Sequence, residues 1–199
     1  MWTVVLTGGV GCGKSSVARL FTKYPEVQYF SADDAAHQVL ATSVMQQKLA
    51  QRYGNFILNY SAKEQRTFLA PKLIADLSER RWLESKLHPE VLAQLRAKIA
   101  SKVPARQYLL AEVPLYLPLA SLIPANRVLV VDTLPQHQLH RLHLKRPELN
   151  AKQLKDFTKL LDAPERFKEV ADDVIDNNGP IVNLAKQVAK LHRYYLTLF

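Results

Sequence analysis

The feature that most constrains this chain is a glycine-rich segment near its beginning, between an apolar strand and an amphipathic helix. Residues 8–15 satisfy the pattern G-x-x-x-x-G-K-S/T in full. Thr3–Thr7 is short, apolar and rich in β-branched residues, which predicts a buried strand. Lys14–Tyr24 carries apolar residues along one face, which predicts a helix. This order of strand, loop and helix predicts a loop that wraps its backbone amides around phosphate groups.

Each part of this loop has a physical role toward a nucleoside triphosphate such as ATP. Glycines allow the backbone angles that turn several N–H groups toward one anion, and the following helix directs the positive end of its dipole there. Lys14 is placed to reach the β- and γ-phosphates, and the Ser15 hydroxyl is placed to ligate Mg²⁺. The residues expected to contact the nucleotide are Gly8, Gly9, Gly11, Cys12, Gly13, Lys14, Ser15 and Ser16.

Other nucleotide-binding classes fit the sequence less well. The dinucleotide-binding fingerprint needs a third glycine at a spacing that Gly9 and Gly11 lack. A guanine-reading N-K-x-D does not occur in the chain, which argues against a GTPase. Asp132 follows four apolar residues, as the metal-holding aspartate of many ATPases does. Its position nevertheless favours the N-cap of a helix that follows the fourth strand.

Short apolar segments alternate with helical segments along the chain, which predicts an α/β protein with a parallel, doubly wound sheet. The five predicted strands are Thr3–Thr7, Val27–Phe30, Gln107–Val113, Arg127–Val131 and Asp173–Ile175. Residues 34–102 are mainly helical and exceed a single crossover, so they predict a substrate-binding insertion. Within it, Ser78 is expected to cap one helix, and His88-Pro89 is expected to open another with proline in the first turn.

The net charge and the cysteine content indicate which binding partners and which cellular compartment to expect for the protein. The formal net charge of +9 attracts polyanions, but the basic segments lack the interleaved aromatics of single-strand binders, which disfavours nucleic acid. With Cys12 as its one cysteine, the chain forms no internal disulfide, so a cytoplasmic location is expected. Neither a signal peptide nor a membrane-spanning run is seen, and we expect a monomer or a weak homo-oligomer. Lys14 and the adjacent helix start predict a depressed pKa for the Cys12 thiol.

Six ordered blocks across nearly the whole chain resemble one enzyme family, the dephospho-CoA kinases. The blocks are Leu6–Ala18 (LTGGVGCGKSSVA), Ser31-Ala32-Asp33, Leu87-His88-Pro89, Val113-Pro114-Leu115, Arg127–Asp132 (RVLVVD) and Ala171–Gly179 (ADDVIDNNG). The last block and Leu87-His88-Pro89 are much more specific than the phosphate-binding loop. The resemblance implies a P-loop kinase fold, a five-stranded parallel sheet between helices, with a helical substrate-binding insertion and a lid.

The resemblance also implies an activity and a division of the chain. The family transfers the γ-phosphoryl of ATP to the ribose 3′-hydroxyl of dephospho-CoA, the last step of coenzyme A biosynthesis. Residues 1–33, 107–134 and 171–199 are expected to form the nucleotide-binding core. Residues 34–106 are expected to bind the acceptor, and residues 135–170 to form the helical lid.

Several residues outside the loop receive roles from the same resemblance. Asp33 is expected to orient the acceptor and to serve as its general base, and His88 either touches the acceptor or caps a helix before Pro89. Arg141 and Arg146 lie in the expected lid, where a closing lid brings guanidinium charge onto the transferred phosphoryl. The expected adenine-bordering loop is Asn177, Asn178 and Gly179.

The chain departs from the family pattern at four positions, one of which is a glutamine that the family has near Leu161 and this chain lacks. The family usually has Asp-Ala-Asp where this chain has Ser31-Ala32-Asp33, so a metal or water contact made by the first carboxylate must be replaced. Pro118 stands where the family usually has an acid, and His37 stands where an arginine is common. Two other functions remain open from the residues alone: another P-loop metabolite kinase, and a nucleotide-dependent regulator that binds nucleic acid.

Overall fold

The structure, a computed structural model, describes residues 1–102, 107–114, 116–145, 154 and 164–199. Its strands are β1 Trp2–Thr7, β2 Val27–Ser31, β3 Tyr108–Glu112, β4 Arg127–Asp132 and β5 Asp173–Asp176. They form one five-stranded sheet in the order β2-β3-β1-β4-β5, and every neighbouring pair is parallel. The predicted α/β class with a parallel sheet is therefore confirmed.

Helices connect the strands and account for the long segment between β2 and β3. They are α1 Lys14–Phe21, α2 Ala32–Leu40, α3 Ser43–Tyr53, α4 Ala62–Ala75, α5 Leu77–Ala100, α6 Pro135–Lys145, α7 Pro164–Glu169 and α8 Ile181–Tyr195. Asn55–Asn59 and Leu117–Leu122 form short 3₁₀ turns. Among the described helices, none combines the length and the apolar character needed to cross a bilayer.

The sheet is buried because helices cover its apolar strands. All five residues of β3 are buried, and so are the last five of β1. Such continuous apolar burial is typical of parallel sheets, whose crossover helices cover both faces. Phe21 of α1 and Tyr195 of α8 join these strands in one core, with their rings stacked at 6.2 Å between centroids. This packing fixes α1, and with it the end of the phosphate-binding loop.

The chain forms two compact units, residues 1–32 with 95–199 and residues 33–94. The second unit has its own apolar core, in which Leu49 and Ile57 are fully buried. Its helices begin at residues that cap them: Thr42 accepts a hydrogen bond from the Met45 amide at the start of α3. Ser61 and Glu64 form a capping box at the start of α4.

The prediction that His88-Pro89 opens a helix is wrong, because α5 runs unbroken through Pro89. Its N-terminus is capped by Asp76, whose Oδ1 accepts the Ser78 amide at 2.7 Å, so Ser78 is not the cap. A proline inside a helix costs about 3 kcal/mol. Leucines on both sides of Pro89 are buried, and each contributes about 1.5–3 kcal/mol; they are Leu83, Leu87 and Leu92. Packing therefore outweighs the local helix-breaking signal.

Candidate active site

The loop between β1 and α1 adopts backbone angles that glycine alone adopts readily. Gly8, Gly11 and Gly13 have φ angles of 138°, 75° and 95°. A Cβ at Gly8 would also lie 2.6 Å from the carbonyl oxygen of Val131 in β4. The loop therefore needs glycine for its conformation and for the close approach of β4. Its shape is the concave one in which consecutive amides face an anion.

Lys14 begins α1 and folds back over the loop. Its Nζ donates to the carbonyl oxygens of Gly8 and Gly9 at 2.9 and 3.0 Å. The residue is 9% exposed, and these hydrogen bonds hold its charge close to the loop. The ammonium therefore lies at the phosphate-binding loop. Phosphate oxygens of a bound nucleotide are able to replace the two carbonyl oxygens as its hydrogen-bond acceptors.

Arg141 and Asn177 meet beneath the loop at one carbonyl. The Asn177 amide nitrogen donates to the Cys12 oxygen at 2.7 Å, and Arg141 Nη1 donates to the same oxygen at 3.3 Å. Arg141 Nη2 donates to the Asn177 oxygen at 2.8 Å, which closes the triangle. Asn177 is buried and also lies directly against Gly13. Arg141 therefore belongs to the support of the loop.

Two asparagines follow β5 and bind different segments. Asn177 contacts the phosphate-binding loop, and Asn178 is hydrogen-bonded to the turn after β4. Asn178 Oδ1 accepts the Leu134 amide at 2.6 Å and the Thr133 hydroxyl at 3.0 Å. Gly179 is exposed at the start of α8. Both asparagine side chains thus hold neighbouring loops together, and the border with adenine that the resemblance implies stays a prediction.

The prediction of a depressed pKa for Cys12 is wrong. The residue is 4% exposed, and this burial raises the pKa of the thiol above its usual value. Lys14 and Arg141 act in the opposite direction, and Asp132 adds to the rise. Burial dominates because removing the thiolate from water costs more than the nearby cations return. The sequence showed the cations beside Cys12 but not the atoms that cover it.

Asp132 is not a helix cap either. It is the last residue of β4, and α6 begins three residues later at Pro135. Its carboxylate pairs with Lys168 of α7 at 2.7 Å. The ion pair is partly exposed, so it links β4 to α7 with little effect on stability.

Glu112 is a site residue that the sequence analysis missed. It ends β3, between β1 and β2, and is 6% exposed. Ser15 Oγ donates to its Oε1 at 3.1 Å, and the Tyr29 hydroxyl donates to its Oε2 at 2.7 Å. The available signal was the same as for Asp132: an acidic residue that closes an apolar strand. Position along the chain did not reveal that β3 ends beside Ser15, because the order of the strands is a property of the folded sheet.

Ser15 and Glu112 together suit Mg²⁺. This ion prefers oxygen ligands, keeps several waters, and is commonly held by one or two protein groups plus the substrate phosphates. Within the described residues, no group of three His, Cys, Asp or Glu side chains is placed to hold a metal alone. A hydroxyl and a carboxylate beside a phosphate-binding loop fit an ion that the nucleotide brings with it.

The remaining predicted residues lie elsewhere or outside the described part. Asp33 is exposed in the first turn of α2, and His88 is half-buried in the middle of α5; both belong to the second compact unit. His88 therefore does not cap a helix. Arg146 falls outside the described residues, as do 147–153 and 155–163 of the predicted lid. The roles of Asp33, His88 and Arg146 stay predictions.

Comparison with known proteins gives matches over nearly the whole chain. The sequence model of the family described as Dephospho-CoA kinase matches residues 2–183. A dephospho-CoA kinase of Escherichia coli is 34% identical over 198 residues, which cover 99% of this chain and 94% of the relative. One from Yersinia pseudotuberculosis is 35% identical over 199 residues, with the same coverage of 99% and 94%.

Solved structures agree at the level of the fold. A dephospho-CoA kinase from Campylobacter jejuni superimposes with a TM-score of 0.71 at 19% identity, covering 98% of this chain and 97% of its own. This likeness shows the fold. The family is shown by the match to its sequence model and by the two relatives above 30% identity. This chain, with its P-loop, parallel sheet and full-length match, belongs to the dephospho-CoA kinase family.

Proposed function

We propose that this chain transfers the γ-phosphoryl of ATP to the ribose 3′-hydroxyl of dephospho-CoA. The observation that carries the proposal is the family match over residues 2–183, which includes every element of the site. The loop geometry supports it independently, because positive φ angles at three loop glycines shape an anion-binding concavity next to Lys14.

The nucleotide half of the reaction rests on the loop. Its amides and the N-terminus of α1 bind the phosphates, and Lys14 exchanges its carbonyl partners for phosphate oxygens. Ser15 and Glu112 are the groups that would hold Mg²⁺, which neutralises charge on the phosphates when bound. Arg141, fixed against Cys12 and Asn177, places guanidinium charge beside the loop, where it stabilises charge that develops in the transition state.

The acceptor half rests on the second unit, residues 33–94. Asp33 orients the ribose hydroxyl and accepts its proton, and His88 contributes to acceptor binding. The unit contains a cavity of about 220 Å³ lined mainly by apolar and amide side chains, among them Leu40, Leu58 and Gln46. His37, Tyr60 and Arg66 complete the lining with polar groups. Such a lining suits the pantetheine arm of dephospho-CoA, which carries amides on an apolar chain.

Acceptor-dependent turnover tests the proposal. Purified protein with ATP and Mg²⁺ is given dephospho-CoA, a nucleoside panel or single-stranded nucleic acid, and products are identified by mass spectrometry. We expect coenzyme A from dephospho-CoA, ADP in equal amount, and little ADP without an acceptor. The control is Lys14→Ala, expected to lose orders of magnitude in turnover because the transition state loses a charge. Phosphorylation of a nucleoside, with dephospho-CoA unchanged, would replace the proposal by the metabolite-kinase alternative.

A further inference from the structure

Gln138 of α6 is a buried polar residue that contacts the phosphate-binding loop. It is 8% exposed, and α6 belongs to the same compact unit as the loop. We propose that Gln138 is a positioning residue for nucleotide binding, because its side chain turns one peptide of the loop so that the Gly11 amide is presented to the phosphates. The inference rests on the proposed function only for ATP as the nucleotide, since the acceptor takes no part in it.

The side chain of Gln138 holds the loop through one hydrogen bond. Its Nε2 donates to the carbonyl oxygen of Val10 at 2.5 Å. A Cβ at Gly9 would lie 3.1 Å from the same nitrogen. A Cβ at Gly11 would lie 2.9 Å from the Gln138 carbonyl oxygen and 3.0 Å from Leu142 Cγ. A turn of α6 therefore lies directly against the loop, at the positions where the loop has glycines.

The geometry of the peptide group links this hydrogen bond to the amide of the next residue. The peptide between Val10 and Gly11 is trans, so its C=O and N–H groups point in opposite directions. Gln138 contacts the oxygen from the side of α6, and the Gly11 N–H is therefore turned away from α6. In the described part of the chain this amide donates no hydrogen bond, whereas the Cys12 amide donates to the Gly9 oxygen at 3.3 Å. The Gly11 amide is thus available to an anion bound in the loop.

The Cys12 carbonyl is held from outside the loop in the same way. Asn177 and Arg141 donate to its oxygen at 2.7 and 3.3 Å. The amide that follows belongs to Gly13, and it likewise donates no hydrogen bond among the described residues. Side chains outside the loop therefore fix two alternate carbonyls, and the amides of Gly11 and Gly13 remain for phosphate oxygens. Amides that are oriented before the ligand arrives bind it more tightly, since less ordering is required on binding.

A role in packing alone predicts a different outcome when the hydrogen bond is removed. In that case the bond only satisfies a buried amide, which is costly to bury without a partner. Its loss then lowers the stability of the fold without a selective effect on nucleotide binding. In a positioning role, the affinity for ATP falls and the Gly11 amide responds less to the nucleotide.

The test measures Mg-ATP binding without any acceptor in Gln138→Met, which keeps the length of the side chain and removes the donor. Isothermal titration is expected to give a Kd for Mg-ATP about tenfold higher than that of the unmodified protein, because the phosphates lose an oriented hydrogen bond. In heteronuclear NMR spectra, the shift that Mg-ATP causes in the Gly11 amide signal is expected to be smaller in Gln138→Met. The Tm of each protein reports the stability of the fold.

Two further variants make the inference specific. Gln136→Met is the matched control, because Gln136 is exposed on the same helix, and we expect it to bind Mg-ATP as the unmodified protein does. Gln138→Glu keeps the size of the side chain but, as a carboxylate, has no donor. We expect it to weaken Mg-ATP binding at pH 8 at least as much as Gln138→Met, and it tests the inference if Gln138→Met does not fold.

Two results would overturn the inference: Mg-ATP binding in the Gln138 variants that equals that of Gln136→Met, or a Gly11 signal that responds to Mg-ATP as in the unmodified protein. A lower Tm together with either result would assign Gln138 to packing. Failure of the dephospho-CoA assignment would leave these binding results intact, and failure here would leave acceptor turnover to be judged by its own assay.

Discussion

Replacing Asn177 by alanine tests whether the phosphate-binding loop is held from below. In the structure its buried amide donates to the Cys12 carbonyl at 2.7 Å and packs against Gly13. Without the amide, the carbonyl keeps only the longer hydrogen bond from Arg141 among its described partners, at 3.3 Å. The loop then loses the shorter of the two hydrogen bonds that hold Cys12, two residues before the start of α1.

The size of the effect follows from the burial of the contact. A hydrogen bond contributes about 0.5–1.5 kcal/mol, and leaving a buried polar group poorly satisfied costs about 1–3 kcal/mol. We expect Asn177→Ala to lower the free energy of unfolding by about 2 kcal/mol. In a chain of this length that lowers the Tm by about 4–8 °C. If about 1 kcal/mol of this also preorganises the loop, the Kd of Mg-ATP rises about fivefold.

The assay is a thermal melt together with ATP titration, and Asn183→Ala is the matched control. Asn183 is an exposed residue of α8, so its replacement is expected to change stability by at most about 0.5 kcal/mol. An Asn177→Ala protein that melts and binds Mg-ATP like the Asn183→Ala protein would refute the reasoning. A lower Tm with unchanged ATP affinity would limit Asn177 to the fold and remove its role in shaping the loop.

Three other predictions concern Asp33, Cys12 and His192. Asp33→Asn is expected to bind Mg-ATP nearly as the unmodified protein does but to transfer phosphoryl slowly, because the acceptor loses its orienting carboxylate; turnover at the unmodified rate would remove that role. Cys12 is expected to react with iodoacetamide at pH 8 much more slowly than a free cysteine peptide, since burial raises the pKa of the thiol and covers it; peptide mapping that shows equal rates would contradict this. Burial lowers the pKa of His192 below its usual 6.5, with Glu26 acting the other way and Tyr108 and Tyr24 packed against the ring. The unfolded chain therefore binds more protons at this histidine, so the contribution of His192 to stability is present above pH 6.5 and is lost as the pH falls below that value. Thermal melts between pH 8 and 5.5 are expected to show a smaller fall in Tm for His192→Phe than for the unmodified protein. A steeper fall in Tm for His192→Phe would contradict this argument.

The local sequence determined the elements whose signals lie within a few residues. The phosphate-binding loop needs glycine at positions with positive φ, and the strand before it is a continuous apolar run, so both are visible as patterns. The alternation of strands and helices was enough to predict the parallel sheet, because parallel strands need crossover connections. Charge and the residues of the family blocks add to this without any knowledge of distant contacts. The helix starts predicted at Ser78, His88-Pro89 and Asp132 were wrong, so capping residues alone did not locate the helices.

Tertiary structure decided whatever depends on residues that are far apart in the chain. Ser15 and Glu112 are 97 residues apart, and they meet only because β3 lies beside β1 in the sheet. The helix α5 continues through Pro89 because buried leucines on either side outweigh the lost hydrogen bond. Burial by atoms packed over Cys12 raises the pKa of its thiol, although its sequence neighbours favour the thiolate. Burial and strand order are properties of the whole fold, so no window of sequence contains them.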